Sequence, residues 1–290
     1  MQSVLSFPER GHWGDRQYRG NCSGHIQREL IEHYRPSYFV DICEGSGTSK
    51  DVCSDLGVQY TGLDLRYGQD YTHDFVLSQL SRPADMVFSH PAYHSMILYS
   101  GNMWGEPDAR DHSRCASVEE FLEKSQVMLL NQREATRPGG IYATLIGDMR
   151  KQGAFHSFQA DFVAMMPRHE LKGVVIKIQH NMVSNQTVYA NFKHPSIQHE
   201  YLLLWERSKQ SLFQVIWDKA IEQKRAIAST WRSLIRLVMM EVGQASLQEI
   251  YSKVESIAGD MIVKNQHWKA KIRQQLQKYH TQVERGVWAA

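Results

Sequence analysis

The chain has 290 residues and a mass of 33.5 kDa, enough for one large domain and a smaller one. Hydrophobic residues make up 42% and charged residues 22%, which predicts a packed globular protein and excludes wholesale disorder. No apolar run reaches the roughly 20 residues of a membrane span, and the N-terminal segment lacks a signal-peptide pattern. The four cysteines show neither disulfide nor zinc spacing, so we predict a cytoplasmic protein without a metal site.

The net charge of +2 is unevenly distributed along the chain. Residues 207–290 carry 14 Lys and Arg against 7 Asp and Glu, whereas residues 1–206 carry 19 against 24. A basic C-terminal part favours a polyanionic partner, although the same charges would also serve as a solubilising surface.

The first 206 residues predict strands that alternate with helices. Strands are predicted at 38–42, 60–65, 84–89, 141–146, 171–178 and 200–205, and helices at 50–56, 118–136 and 157–166. This order predicts a parallel α/β sheet with helices on both faces. In such sheets, ligands bind beyond the carboxyl ends of the strands.

Beyond residue 206 the pattern becomes helical, with segments at 211–240, 247–257 and 265–279 before a short turn and strand around Gly286. Three helices and a terminal hairpin are the plan of a winged helix-turn-helix. We therefore predict an α/β domain at 1–206, a linking helix at 207–229 and a winged helix-turn-helix DNA-binding module at 230–290.

A glycine-rich turn follows the first predicted strand. The segment 41–48 reads DICEGSGT, in which Gly45 and Gly47 let the backbone approach a ligand closely before a helix begins. Asp64 ends the next strand, where an acid accepts the hydroxyls of a ribose. The pattern is neither GxGxxG nor GxxxxGK(S/T), so it favours a cofactor without phosphate, such as S-adenosylmethionine, over dinucleotides and nucleoside triphosphates. The alternative is a purely structural turn with Asp64 on the surface.

Three segments in order, DICEGSGT, YTGLDL and HPAY, resemble the S-adenosylmethionine-dependent amino-methyltransferases of DNA. The resemblance covers about residues 12–206 and implies a Rossmann-like methyltransferase sheet. It implies cofactor binding by the following residues: Cys22, Ser23, Asp41, Cys43, Gly45, Ser46, Gly47, Thr48, Asp64 and Asp74. Without the resemblance, Ser23 would be interpreted as an ordinary helix cap.

The HPAY segment supplies the catalytic candidates His90, Pro91 and Tyr93. In the family, the first side chain and the carbonyl of the first proline accept hydrogen bonds from the target amine, and the tyrosine stacks on a base flipped out of the duplex. His90 stands where the family has Asp, Asn or Ser, and Ala92 replaces its second proline. A neutral imidazole still accepts one hydrogen bond, so we predict that activity falls as His90, with an ordinary pKa of about 6.5, becomes protonated.

Candidate DNA contacts lie in the long polar loop at 94–117, at the end of a later strand and in the C-terminal module. The loop would cover the base pocket, touch DNA or form a surface excursion, and the cations at 150 and 151 would bind phosphate or remain solvated. The predicted contacts are Tyr99, Trp104, Arg150, Lys151, Lys264, Lys269, Lys271, Arg273 and Arg285. The last helix would enter the major groove as a basic recognition helix, pack on the acidic domain or form a dimer contact.

The sequence thus predicts a site-specific DNA methyltransferase that moves a methyl group from S-adenosylmethionine to an exocyclic amine, with adenine N6 preferred over cytosine N4. Its partner would be double-stranded DNA, and the resemblance suggests a bacterial or phage modification or defence system. Two alternatives remain open: a catalytically inactive DNA-binding protein with the same fold, and an RNA methyltransferase.

Overall fold

The computed structural model describes residues 1–180, 194–258, 262 and 266–289, so the predicted DNA contact Lys264 lies outside the described residues. The chain divides into two compact units, Met1–Val215 and Ile216–Ala290. This division falls inside the segment predicted as a linking helix.

A seven-stranded sheet forms the centre of the first unit. Its strands are β1 (Val4–Ser6), β2 (Tyr38–Asp41), β3 (Gln59–Gly62), β4 (Ala84–Ser89), β5 (Thr136–Ile146), β8 (Leu171–Ile178) and β9 (His199–Glu206). A separate hairpin consists of β6 (Met149–Lys151) and β7 (Ala154–His156). The order across the sheet is β1-β8-β9-β5-β4-β2-β3. The predicted Rossmann-like α/β sheet is confirmed, but it is mixed, because β9 runs antiparallel to both β5 and β8.

Helices cover both faces of this sheet, as predicted. They are α1 (His25–Tyr34), α2 (Thr48–Leu56), α3 (Val118–Ala135) and α4 (Phe158–Met165). Successive residues of a strand point to opposite faces, so Phe39 of β2 packs in the core cluster of α1 and α2, whereas Val40 packs in that of α3 and α4. Ser117 starts α3 by accepting the Glu120 backbone N–H at its hydroxyl.

The second unit combines helices with a small antiparallel sheet. Its elements are α5 (Leu212–Val242), which begins in the first unit, β10 (Gln244–Ser246), α6 (Leu247–Ala258), α7 (Trp268–Tyr279), β11 (Thr281–Glu284) and β12 (Val287–Ala289). The sheet order is β10-β12-β11, and Gly286 turns the hairpin between β11 and β12 at φ +79°. The three predicted helices and the terminal hairpin are present, whereas β10 was not predicted, and the winged helix-turn-helix identity stays a prediction. No helix in the described part of the chain combines the length and apolar run needed to cross a bilayer.

A buried ion pair joins α3 to the segments that flank β8 and β9. The guanidinium of Arg133 donates to both carboxylate oxygens of Glu170, at 2.9 Å from Nε and 2.6 Å from Nη2. The Tyr142 and Ser208 hydroxyls also donate to Glu170. Burial alone would raise the pKa of Glu170, but these donors bring it down to about 2, so the carboxylate is ionised.

Removal of the Arg133 charge should destabilise the first unit strongly, because Glu170 would remain buried without its main partner. We expect Arg133→Met to lower the free energy of unfolding by about 3–5 kcal/mol, measured by urea denaturation. Arg28→Met is the control, since its pair with Glu32 on α1 is half exposed and should contribute far less. Equal losses in the two variants would contradict this assignment.

Candidate active site

Asp41, the last residue of β2, anchors the glycine-rich turn. Its buried carboxylate accepts the Cys43 backbone N–H at 2.9 Å and the Ser49 hydroxyl of α2 at 2.5 Å. Burial raises the pKa of Asp41 to about 7, against the lowering effect of these two hydrogen bonds. The carboxyl group therefore ties the turn to the start of α2.

Asp64, which follows β3, holds the other side of the turn. Its carboxylate accepts the backbone N–H of Gly45 and that of Arg66, each at 2.8 Å. A carboxylate oxygen has two lone pairs, so each oxygen of Asp64 can accept one further donor. Asp64 is therefore able to accept hydrogen bonds from both hydroxyls of a ribose, the role predicted for it.

The segment before α1 packs over the glycine-rich turn through residues that sequence reasoning missed. The Asn21 amide bonds to the hydroxyls of both Ser46 and Thr48. The Tyr18 ring lies 3.4 Å from the position that a Cβ on Gly45 would occupy. Neither Asn21 nor Tyr18 belongs to a motif, so only the folded chain reveals these contacts.

The structure separates the two residues predicted in this segment. Cys22 lines the cleft, and its buried thiol accepts the Gln27 amide at 3.2 Å. Ser23 does not line the cleft; its hydroxyl donates to the Arg10 carbonyl at 3.0 Å instead. Ser23 therefore holds the N-terminal segment against the start of α1.

These parts enclose a cleft with an empty volume of about 780 Å³, including the solvent at its mouth. The predicted cofactor residues that line it are Cys22, Asp41, Cys43, Gly45, Ser46, Thr48 and Asp64. Among the described residues, its acidic and strongly basic lining consists of five acids, of which Asp41 is only partly ionised at pH 7, and one guanidinium: Asp41, Glu44, Asp64, Asp70, Asp111 and Arg110. Such a cleft suits a positively charged ligand and disfavours a phosphate.

Two other predicted cofactor residues do not line the cleft. Gly47 begins α2 at φ +83°, a left-handed conformation that glycine adopts without strain. Asp74 accepts the Asp70 backbone N–H at 2.8 Å, and it is the buried Asp70 that lines the cleft. Of these two acids, Asp70 therefore lines the cleft and the predicted Asp74 does not, and the role of Asp74 near the adenine stays a prediction.

The long loop at 94–117 forms a wall of the cleft. A hydrogen bond crosses the loop, from the Ser100 backbone N–H to the Asp111 carboxylate at 2.7 Å. Tyr99 and Trp104 line the cleft, and the Tyr99 ring stacks on Tyr18 with 5.9 Å between centroids. The predicted DNA contacts Tyr99 and Trp104 lie in this wall, and covering of a base pocket or contact with DNA by the loop stays a prediction.

A second cavity, with an empty volume of about 770 Å³, adjoins the first. His90 and Pro91 line both cavities, whereas Tyr93, Lys177 and Glu200 line only the second. His90 and Pro91 therefore belong to the partition between the acidic cleft and this second cavity. The other described residues that line both cavities are Gly20, Asn21, Cys22 and Tyr99.

The hydrogen bonds beyond His90 determine which ring nitrogen carries its proton. The Glu200 carboxylate accepts the Tyr93 hydroxyl and the Lys177 ammonium, each at 2.8 Å. Tyr93 has a single hydroxyl hydrogen, so its oxygen accepts from Nε2–H of His90, 2.9 Å away. Nδ1 of neutral His90 is then the free acceptor, and it has no hydrogen-bond partner within the described part of the chain.

The pKa of His90 is lowered to about 4, mainly because the ring is buried. The Glu200 charge raises this pKa, and the Lys177 charge lowers it. The imidazole is therefore neutral at pH 7. We therefore expect the predicted loss of activity on protonation of His90 to occur near pH 4 and not near pH 6.5.

Arg150 and Lys151, the predicted phosphate contacts on the hairpin of β6 and β7, both contact other side chains of the first unit. The Lys151 ammonium donates to the Ser95 hydroxyl at 2.9 Å. The Arg150 guanidinium lies over the Phe155 ring, 5.1 Å from its centroid. Both side chains are half-buried and connect the hairpin to its surroundings, so they are not freely solvated cations.

The other predicted DNA contacts are exposed in the second unit. Lys269, Lys271 and Arg273 lie on α7, and Arg285 lies at the turn between β11 and β12. Arg273 donates to the Tyr251 hydroxyl at 3.1 Å. DNA binding by these side chains stays a prediction.

No protein-family model matches the sequence, and no curated protein is significantly similar to it. Three similar solved structures illustrate the range of matches. A protein from Thermus thermophilus, described as a candidate DNA modification methylase and complexed with S-adenosyl-L-methionine, has a TM-score of 0.33 and 16% identity over 49% of this chain and 54% of its own. TrmN, also from Thermus thermophilus, has a TM-score of 0.36 and 11% identity over 66% of this chain and 51% of its own.

The third, a SAM-dependent methyltransferase from Archaeoglobus fulgidus, has a TM-score of 0.38 and 11% identity over 63% of this chain and 91% of its own. This chain spans about half the length of the two Thermus proteins. At such scores the likeness supports no conclusion about the activity or substrate of this chain.

The raised pKa of Asp41 makes stability depend on pH. Its folded value of about 7 lies above its ordinary value of 3.8, so its contribution to stability is complete below about pH 4 and is lost as the pH rises through 7. The side chain of Asp41→Asn cannot ionise. We therefore expect the free energy of unfolding of the wild type to decrease relative to that of the variant as the pH rises from 4 to 8. Urea denaturation across this range measures the difference, and a difference that stays constant would contradict the burial of an ionisable Asp41.

Proposed function

We propose that this protein is an S-adenosylmethionine-dependent methyltransferase that modifies an exocyclic amine of a base flipped out of double-stranded DNA, with adenine N6 preferred over cytosine N4. The observation that carries the proposal is the partition of His90 and Pro91, which line both the acidic cleft and the second cavity. A methyl donor in the cleft and an amine in the second cavity would meet there. Acceptors at the partition would orient the lone pair of the amine toward the methyl carbon.

The residues of the acidic cleft fit S-adenosylmethionine, whose sulfonium and amino groups are both positive. When bound, this cofactor supplies an electrophilic methyl group. The open acceptor positions of Asp64 suit a ribose diol. The side-chain oxygen of Gln27, a residue that lines the cleft, is buried without a partner in the described residues and suits an amino group.

The second cavity fits the amine that receives the methyl group. Nδ1 of His90 is an acceptor at neutral pH, and a neutral imidazole does not repel a sulfonium as an imidazolium would. Tyr93 lines this cavity with its hydroxyl held by Glu200, and its ring lies 2.7 Å from where a Cβ on Gly147 would stand. A ring held in this way supports the stacking role that the resemblance implies for Tyr93.

A basic groove in the second unit supports DNA as the substrate. It lies between α5 and α7, with an empty volume of about 1400 Å³, and contains no carboxylate among its described lining residues. Five cations line it: Lys224, Arg225, Arg232, Lys271 and Lys278. Cations without neighbouring acids attract the phosphate backbone of a nucleic acid. Trp231 and Tyr279 also line the groove, and the Arg232 guanidinium lies 4.2 Å from the centroid of the Tyr279 ring.

The two cavities predict separable effects of substitution. His90→Ala removes the acceptor at the partition, and we expect it to lower methyl transfer at least about 100-fold without changing cofactor affinity. Asp64→Asn removes the charge and one acceptor of the ribose site, and we expect about tenfold weaker cofactor binding, equivalent to about 1.4 kcal/mol. Calorimetry measures binding of S-adenosylmethionine, and incorporation of its tritiated methyl group measures transfer.

Asp55→Asn is the matched control for these variants, because Asp55 is an exposed acid of α2 outside the cleft lining. The same assay distinguishes the substrates. Transfer to RNA alone would overturn DNA as the substrate, and cofactor binding without transfer to duplex, single strand or RNA would identify an inactive relative of the fold. Analysis of the modified nucleosides decides between adenine N6 and cytosine N4.

The basic groove predicts a defined salt dependence of DNA binding. Lys224→Ala and Lys271→Ala should each reduce the slope of log affinity against log salt by about 0.9, as expected for one lost phosphate contact. Lys253→Ala on α6 is the control, since Lys253 lies outside the groove and pairs with Glu241. Fluorescence anisotropy with a labelled duplex at several salt concentrations measures the slopes. Equal slopes for all three variants would remove the groove from the DNA-binding surface.

A further inference from the structure

Three side chains beyond His90 form a continuous path away from the partition. The path runs from Nε2–H of His90 to the Tyr93 oxygen at 2.9 Å, and from the Tyr93 hydroxyl to Glu200 at 2.8 Å. It ends at Lys177, whose ammonium donates to the second oxygen of Glu200 at 2.8 Å. The links from His90 to Tyr93 and from Tyr93 to Glu200 have the same donor direction, so a proton that arrives at Nδ1 can be matched by one that leaves Nε2.

We propose that Tyr93 and Glu200 form a proton relay that lets His90 act as the base for the target amine, with Lys177 as the residue that positions Glu200. This inference rests on the proposed function and assigns to that reaction a proton path. It gives Tyr93 a second role, through its hydroxyl, in addition to the role of its ring.

The relay accounts for every proton in the reaction. Methyl transfer forms a nitrogen–carbon bond and breaks a carbon–sulfur bond whose electron pair stays on sulfur, which leaves the amine nitrogen with one proton in excess. Nδ1 of His90 takes this proton, Nε2–H passes its proton to the Tyr93 oxygen, and the Tyr93 hydroxyl proton passes to Glu200. The nitrogen keeps the electron pair of its broken N–H bond, and His90 remains neutral in its other tautomer.

The protonation states of the relay suit this direction of transfer. Burial alone would raise the pKa of Glu200, but the charge of Lys177 and the hydrogen bonds from Lys177 and Tyr93 lower it, so Glu200 begins ionised and is able to accept a proton. Burial and the Glu200 charge raise the pKa of Tyr93 well above its usual value, so Tyr93 passes a proton on only while receiving another. No tyrosinate is required.

The relay resets through the second cavity. Glu200 returns its proton to Tyr93, Tyr93 returns one to Nε2 of His90, and Nδ1–H is released to water once the methylated base has left. The thiols of the buried Cys22 and the partly buried Cys43 do not compete for the proton, because desolvation raises both of their pKa values and keeps them neutral.

The tautomer of His90 tests the relay in the free protein, without cofactor or DNA. Long-range proton–nitrogen NMR spectra of protein labelled with ¹⁵N-histidine distinguish a ring protonated at Nε2 from one protonated at Nδ1. We expect the Nε2–H tautomer for wild-type His90 at pH 7, with its signals identified by their loss in His90→Ala. We expect Tyr93→Phe, which removes the acceptor of Nε2–H, to give a mixture of tautomers.

Tyr201→Phe is the matched control for this spectrum. Tyr201 follows Glu200 on β9, and its hydroxyl bonds to Nε2 of His199 at 2.8 Å, so the variant removes an equivalent contact that does not involve His90. Wild-type His90 protonated at Nδ1 would overturn the relay, because no acceptor would then face the amine. A His90 tautomer that changes equally in both variants would overturn the role of Tyr93.

Kinetics test the proton acceptor at the end of the relay. Glu200→Gln preserves the shape of the side chain but cannot take a proton, and we expect kcat to fall roughly 100-fold while KM for DNA and cofactor affinity are unchanged. Because this variant leaves Lys177 buried without its ion-pair partner, the double variant Glu200→Gln/Lys177→Met is measured beside it, and the same fall is expected. Glu200→Asp should recover part of the loss.

The two possible failures are distinguishable. Wild-type turnover in a folded Glu200→Gln or in the double variant would overturn the relay and leave the proposed function intact. Absence of methyl transfer by the wild-type protein would overturn the proposed function and the catalytic role of the relay together, whatever tautomer the NMR spectra record.

Discussion

The site depends on the shared direction of three neighbouring strands. β2, β3 and β4 are parallel, so the side chains at and beyond their carboxyl ends, Asp41, Asp64 and His90, reach one edge of the sheet despite their separation along the chain. If one of these strands ran in the opposite direction, its terminal residue would lie at the far edge. Strand direction therefore brings the acidic cleft and the HPAY partition together, and the hydrogen bonds of Asp41 and Asp64 then fix the turn between them.

The features that sequence reasoning predicts correctly are local ones. A buried strand followed by glycines and a helix places Asp41 and Gly45 in a cleft, because all the atoms involved lie within a few residues. Asn21, Tyr18 and Glu200 were missed for the opposite reason. Glu200 bonds to Tyr93 across 107 positions of the chain, and no pattern in the sequence indicates which strand will neighbour which.

Other differences arise where two arrangements have the same local pattern. Asp70 and Asp74 occupy one turn, in which Asp70 accepts the Thr72 N–H at 2.8 Å and Asp74 accepts the Asp70 N–H at 2.8 Å. Both acids cap backbone groups, so spacing alone does not decide which one lines the cleft. The reversed strand β9 was similarly hidden, because an apolar run predicts a buried strand but not its direction.

His90 determines at which stage of the reaction the negative charge near the partition stabilises positive charge. Five acidic side chains already line the acidic cleft, and a further ionised acceptor at position 90 would attract a cationic cofactor as strongly before the reaction as during it. Such uniform binding does not raise kcat. A neutral imidazole with the Glu200 charge behind Tyr93 behaves differently. Glu200 is already paired with Lys177, and its interaction with the ring strengthens only as positive charge develops on the amine and spreads to the imidazole. On the proposed function, a histidine in place of an acid at position 90 therefore moves the electrostatic stabilisation from the bound cofactor to the transition state.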